Sequence, residues 1–119
     1  MTDSKQSIEL MAELKKAYKK TKKPIWKDLI KRAGKSSRLQ KKTAINLFKI
    51  NKLAKKHKVT FIVPGKVLGT GFLDEKVKVV AFEFSASAMH KIKEKGEAFH
   101  IKEFLEKHAD EKNLMIVRD

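Results

Sequence analysis

The chain has 119 residues, 41% hydrophobic and 36% charged, with a formal net charge of +15. That length suits one domain with a buried core, and the absence of cysteine excludes disulfides and thiolate metal sites. Residues 1–58 carry 19 Lys or Arg against four Asp or Glu, whereas residues 59–119 carry ten of each, so the whole excess lies in the first half and points to a polyanionic partner, nucleic acid above all.

From Lys5 to Lys20, Ile8, Leu10, Met11, Leu14, Ala17 and Tyr18 form an apolar stripe at helical spacing with lysines opposite, which predicts an amphipathic helix that packs on its own domain. Lys22, Lys23 and Pro24 then link to a second helix over about residues 25–33. Its stripe is Trp26, Leu29, Ile30 and Ala33, its outer face carries Lys27, Lys31 and Arg32, and Gly34 is placed to stop it. Trp26 on that stripe reads as a core anchor, with stacking on an unpaired base as the alternative. Residues 35–43 have no period. Lys35, Ser36, Arg38, Lys41 and Lys42 make this a loop or helix start suited to phosphates, Arg38 by two parallel bonds. Ala44 to Leu47 can be extended, and Leu47, Ile50, Leu53 and Ala54 fit a helix running to about Lys56.

Val59 to Val63 is apolar or β-branched at every position, the pattern of a strand covered on both faces. Pro64 lacks a donor and Gly65 tolerates positive φ, so the strand is expected to stop there at a turn. A second long strand spans Val77 to Phe84. Ser85 offers an N-cap to a helix lined by Ala88, Met89 and Ile92 and ended by Gly96, and Ser85 and Ser87 could add hydroxyls to a phosphate site at its start. Phe99 and Ile101 suggest a short strand, Phe104, Leu105 and His108 a helix, and Leu114 to Val117 a last strand. The sum is an α/β fold, one domain with a basic helical part (1–58) and a near-neutral α/β part (59–119).

No catalytic constellation emerges. The run Gly65-Lys66-Val67-Leu68-Gly69-Thr70-Gly71 has its Lys in the wrong place for a Walker loop and leads to a strand rather than opening a helix as a dinucleotide fingerprint would. Ser85, Ser87 and His90 lack an orienting carboxylate and a nucleophile elbow. His57, His90, His100 and His108 are too scattered for a zinc site, Met1-Thr2-Asp3-Ser4-Lys5 shows no signal pattern, and no apolar run is long enough for a bilayer. A cytoplasmic protein with no cofactor, metal, membrane or small-molecule substrate is expected.

Read in order, Pro24-Ile25-Trp26-Lys27-Asp28, Asn46-Leu47 with Lys49-Ile50, Val63 to Gly69 followed by Gly71, Val79 to Ser85 with Ser87-Ala88, Lys91-Ile92 and Gly96 resemble the archaeal and eukaryotic large-subunit ribosomal protein family called eighteen-e, in its archaeal form. That family is related to the C-terminal part of bacterial ribosomal protein fifteen. Two positions depart from its pattern: Glu97 stands where a second glycine is common, and Asp110-Glu111-Lys112-Asn113 replaces a Pro-Gly-type turn. The resemblance implies a non-enzymatic structural constituent of the large subunit, an irregular β-β-α superhelical core behind the basic helical region, and large-subunit rRNA and neighbouring ribosomal proteins as partners. With the basic residues above, Asn46, Lys49, Lys66, Ser85 and Ser87 complete the expected RNA-binding set. Two alternatives are a free RNA- or DNA-binding regulator and an enzyme holding a phosphorylated ligand on the Gly65 to Gly71 loop.

Overall fold

The computed structural model describes residues 5–33 and 44–117; the Gly34 helix stop and the loop at 35–43 lie outside them. In chain order the elements are α1 (Lys5–Thr21), α2 (Pro24–Ala33), β1 (Ala44–Asn46), α3 (Leu47–Ala54), β2 (Thr60–Leu68), β3 (Lys78–Phe84), α4 (Ala86–Lys95), β4 (Glu97–His100), α5 (Ile101–His108) and β5 (Leu114–Ile116). The five strands form one sheet in which every pairing is parallel. β2 is the central strand. β1 and β5 share one of its edges, β1 at the C-terminal end with Ile45 opposite Val67 and β5 at the N-terminal end with Phe61 opposite Met115. β3 lies on the other edge, with β4 beyond it.

The continuous apolar run in β2 is explained by the two layers it separates. Phe61, Val63 and Val67 face one core with Leu47 and Ile50 of α3, Ala88 and Ile92 of α4, and Val79 and Ala81 of β3. Ile62 faces the other, with Val80 of β3, Leu14 and Ala17 of α1, Trp26 and Leu29 of α2, and Phe104 and Leu105 of α5. Because side chains alternate along a strand, both sets must be apolar, and the sequence loses its polar positions. Trp26 is fully buried beside Phe104, ring centroids 6.2 Å apart, and its Nε1 donates to the Ala109 carbonyl at 2.9 Å. It is the core anchor, so the base-stacking alternative falls.

Two expectations are corrected. β2 does not stop at Pro64 but continues to Leu68, both residues of Pro64-Gly65 being buried within it. Between Val63 and Lys66 the pairing with β3 slips, three steps on β2 matching two on β3 (Val63 opposite Ala81, Lys66 opposite Glu83). The bulge falls where Pro64 has no N–H to give, so the missing donor costs no ladder bond. Gly96 ends α4 as expected, in an extended conformation with φ −177° and its N–H donating to the Ile92 carbonyl at 2.7 Å. β4 ends at His100, and Ile101 opens α5 with its side chain in the second core.

The two departures from the family pattern are also accommodated. Glu97 sits in the first position of β4, its N–H donating to the Val77 carbonyl at 2.9 Å, so no second glycine is needed. Asn113, before β5, takes φ 60°, a conformation glycine usually supplies and asparagine tolerates.

Polar contacts fasten the basic helices to the near-neutral part. Lys102 of α5 donates to Glu9 of α1 at 2.5 Å, and the hydrogen bond raises the Lys102 pKa. Glu111 is a hub: its carboxylate accepts from Thr60 Oγ1 at 2.6 Å and Lys78 Nζ at 2.9 Å, while its main-chain carbonyl accepts from Lys23 Nζ at 2.9 Å. Burial pushes the Glu111 carboxyl up, but the bonds from Thr60 and Lys78, with the charges of Lys78 and His108, outweigh it and hold its pKa below the ordinary range. A depressed carboxyl stabilises the fold above its unfolded value of about 4.3, and that contribution is lost as pH falls through the lower folded value. Urea melts between about pH 5 and pH 2 should therefore show a steeper acid loss of stability in the wild type than in Glu111→Gln. Parallel curves would mean that this carboxylate contributes nothing.

Candidate nucleic-acid interface

The expected RNA-binding residues fall into two groups. Lys22, Lys23, Lys27, Lys31 and Arg32 lie on or just before α2, and their freedom differs. Lys27 and Lys31, one turn apart, are exposed and have no side-chain partner among the described residues. Arg32 Nε donates to Asp28 Oδ2 at 3.3 Å. Lys22 is exposed with φ 59° and its ammonium 5.8 Å from the Tyr18 ring centroid, and Lys23 is tied to Glu111. Lys35, Ser36, Arg38, Lys41 and Lys42 lie outside the described residues.

The second group gathers at the C-terminal ends of the parallel strands, where α3 and α4 begin. Asn46 ends β1 opposite Leu68, Lys66 lies in the β2 bulge between Ala44 and Glu83, and Ser85 follows β3 with its N–H donating to the Val67 carbonyl at 2.9 Å. In an open α/β sheet this edge is where loops and helix starts leave room for a ligand. Asn46 Oδ1 is buried and has no hydrogen-bond partner among the described residues. Lys66 is half-buried with no side-chain partner among them, and Lys49 is half-buried and engaged in a contact of its own. Ser85 Oγ accepts from the Ala88 N–H at 3.2 Å and lies 3.4 Å from Ser87 Oγ, so Ser85 is an N-cap first.

Between these residues runs the glycine loop, residues 69–71. Gly71 has φ +100°, and a Cβ there would come within 2.7 Å of the Phe48 backbone nitrogen; a Cβ on Gly69 would overlap the Ser87 hydroxyl. The loop is thus pressed between the starts of α3 and α4. Lys91, on α4, donates to the carbonyls of Gly69 at 2.7 Å and Gly71 at 2.9 Å, and the Phe48 N–H donates to Thr70 at 3.1 Å. Beyond the loop, Asn51 and Asp74 bond reciprocally, Nδ2 to Oδ2 at 3.1 Å and the Asp74 N–H to Oδ1 at 2.9 Å. The Asn51 bond, with that of Lys55, holds the Asp74 carboxyl below its usual pKa.

Sequence reasoning identified the loop but missed its clamp. In the sequence Lys91 stands out only as part of the matched pair Lys91-Ile92, and only the fold shows its ammonium aimed at two carbonyls. Lys91→Met is expected to cost roughly 1–3 kcal/mol, since two carbonyls lose a charged donor. It should speed amide hydrogen exchange across residues 70–73; unchanged exchange there would refute the clamp.

Among the described residues no helix is long and apolar enough to cross a membrane, and no group of His, Asp and Glu is arranged to hold a metal. A parallel α/β sheet with a clamped, non-Walker glycine loop and a lysine-rich helical flank defines a class, a basic α/β protein. Residues 11–98 match the family that unites the ribosomal proteins 50S-L15 and 50S-L18e with their 60S counterpart, protein twenty-seven-A of the large subunit. Large ribosomal subunit protein eL18 of Sulfurisphaera tokodaii is 44% identical over 83% of this chain and 82% of its own length. The eL18 of Nanoarchaeum equitans is 42% identical over 84% and 82%, and that of Methanothermobacter thermautotrophicus 37% over 92% and 89%. The chain belongs to the eL18 family of large-subunit ribosomal proteins, structural constituents rather than enzymes. The enzymatic and free-regulator alternatives accordingly give way.

Proposed function

We propose that the chain binds and stabilises large-subunit rRNA, acting as one unit in which the basic part, residues 1–58, meets RNA and the near-neutral part, residues 59–119, holds that part in shape. The observation that carries this is the concentration of 19 cations against four anions in the first 58 residues, an excess that no pairing within those residues can neutralise. Such an excess repels itself in the free protein and is relieved when the lysines displace counterions from a phosphate backbone. RNA is favoured over DNA by the α2 surface, whose outward residues Lys27 and Lys31 suit phosphates and offer no row of Asn, Gln and Arg for reading a major groove. Neighbouring ribosomal proteins complete the surroundings.

The test is sedimentation of a cell lysate at low and high salt. The chain should travel with large subunits and persist there at salt that strips weakly bound proteins. If it stays at the top of the gradient under gentle conditions, the reading fails.

A further inference from the structure

We propose that Phe48 and Phe72 form a stacking platform for unpaired bases of RNA. The inference rests on the rRNA-binding reading and adds the kind of RNA element taken, a single-stranded or extruded nucleotide rather than a duplex.

Phe48 and Phe72 are the large apolar side chains that the described surface leaves exposed, 59% and 70% respectively. They belong to one place. Phe72 follows Gly71, and the Gly71 backbone lies against Phe48, so that a Cβ on Gly71 would come within 2.8 Å of the Phe48 Cβ. Neither ring contributes to either core. Yet the backbone beneath them is pinned, with Lys91, the Phe48 N–H and the Asn51–Asp74 pair all fixing the segment from Gly69 to Asp74. A ring held in water on a pinned backbone loses little further entropy when something stacks on it.

The surroundings decide what that is. By helical spacing, Phe48, Asn51 and Lys52 share the outer face of α3, continued by Lys55 at its C-cap. Asp74 holds Lys55 at 3.2 Å, while Lys52, exposed one turn from Phe48, has no side-chain partner among the described residues. A protein partner would call for an apolar patch continued by aliphatic side chains, but the described surface exposes no large aliphatic one. Isolated aromatic faces beside an unpaired ammonium match a base and its phosphate. Spacing marks Phe48 only as the residue after buried Leu47, and nothing in the sequence shows that Gly71 brings Phe72 to it.

The test uses the full chain and deproteinised large-subunit rRNA in filter binding across a salt series. The double variant Phe48→Ala, Phe72→Ala should bind more weakly by on the order of tenfold per ring, with its salt slope unchanged because no phosphate contact is lost. Phe72→Tyr, which keeps the π-face, should bind like the wild type, and Phe72→Leu like Phe72→Ala. Thermal melts of the free variants should match the wild type, since both rings are exposed. Wild-type affinity in the double variant, or equal binding by Phe72→Leu and Phe72→Tyr, would overturn the proposal. So would unimpaired RNA binding with failed uptake into subunits, which would assign the rings to a protein neighbour. If the wild-type chain itself did not bind the rRNA, the rRNA reading would fall and the stacking platform with it.

Discussion

Gly96→Ala is expected to destabilise the fold by roughly 3 kcal/mol, more than an ordinary surface substitution by a wide margin. The reason is not backbone freedom, because φ −177° is open to any residue. It is the approach of one backbone to another at the junction of α4 and β4. A Cβ on Gly96 would fall on the Val77 carbonyl oxygen and within 2.8 and 2.9 Å of the Val77 N and C atoms. No rotamer change relieves that, since all three are main-chain atoms. To make room, the junction would have to give up the Gly96 N–H bond to Ile92 or the Glu97 N–H bond to Val77, 2.7 and 2.9 Å long. The second of these begins the β3–β4 ladder, where Lys78 pairs with Glu97. Urea unfolding should show a lower midpoint with an unchanged slope. A midpoint within a few tenths of the wild type's, on the scale of a neutral surface change, would mean that the junction is loose.

What the sequence makes legible depends on whether a signal is local. α2 was readable from Trp26, Leu29, Ile30 and Ala33 because helical spacing and Pro24 lie within one short window. The doubly covered strand was readable because Phe61, Ile62 and Val63 are all apolar, which follows from cores on both faces. Its length was not: Pro64-Gly65 reads as a turn, and only the pairing with β3 shows a bulge that absorbs the missing donor. The candidate site divides in the same way. Charge excess is a property of composition, so the basic flank could be seen at once. Which of its cations are free is a property of tertiary contacts, and Lys23, tied to a carbonyl distant in the chain, and Arg32, tied to Asp28, looked the same as Lys27 and Lys31. For the same reason the family's glycine motif suggested Lys66 as a contact but gave no hint of Lys91 beneath it.

Neutralising Lys22, Lys23, Lys27, Lys31, Arg32, Arg38, Lys41 and Lys42 together to Gln is expected to lower rRNA affinity by on the order of a thousandfold at moderate salt and to flatten its salt dependence by roughly 0.7–0.9 per lost phosphate contact. The size follows from counterion release: each cation that meets a phosphate returns a condensed ion to bulk, and the gain shrinks as bulk salt rises. Not all eight can contribute equally. Lys23 and Arg32 spend donors on Glu111 and Asp28, so their replacement also acts on the fold, whereas Lys27 and Lys31 have no described partner to lose. The pair Lys27→Gln, Lys31→Gln is therefore the cleaner measurement. It should reduce the slope by roughly one to two contacts' worth while leaving the urea midpoint in place. If the slope of the pair stayed at the wild-type value, α2 would not face RNA. If the eightfold variant also kept its slope, the phosphate contacts would lie elsewhere, and the charge excess of the first half would serve only to repel.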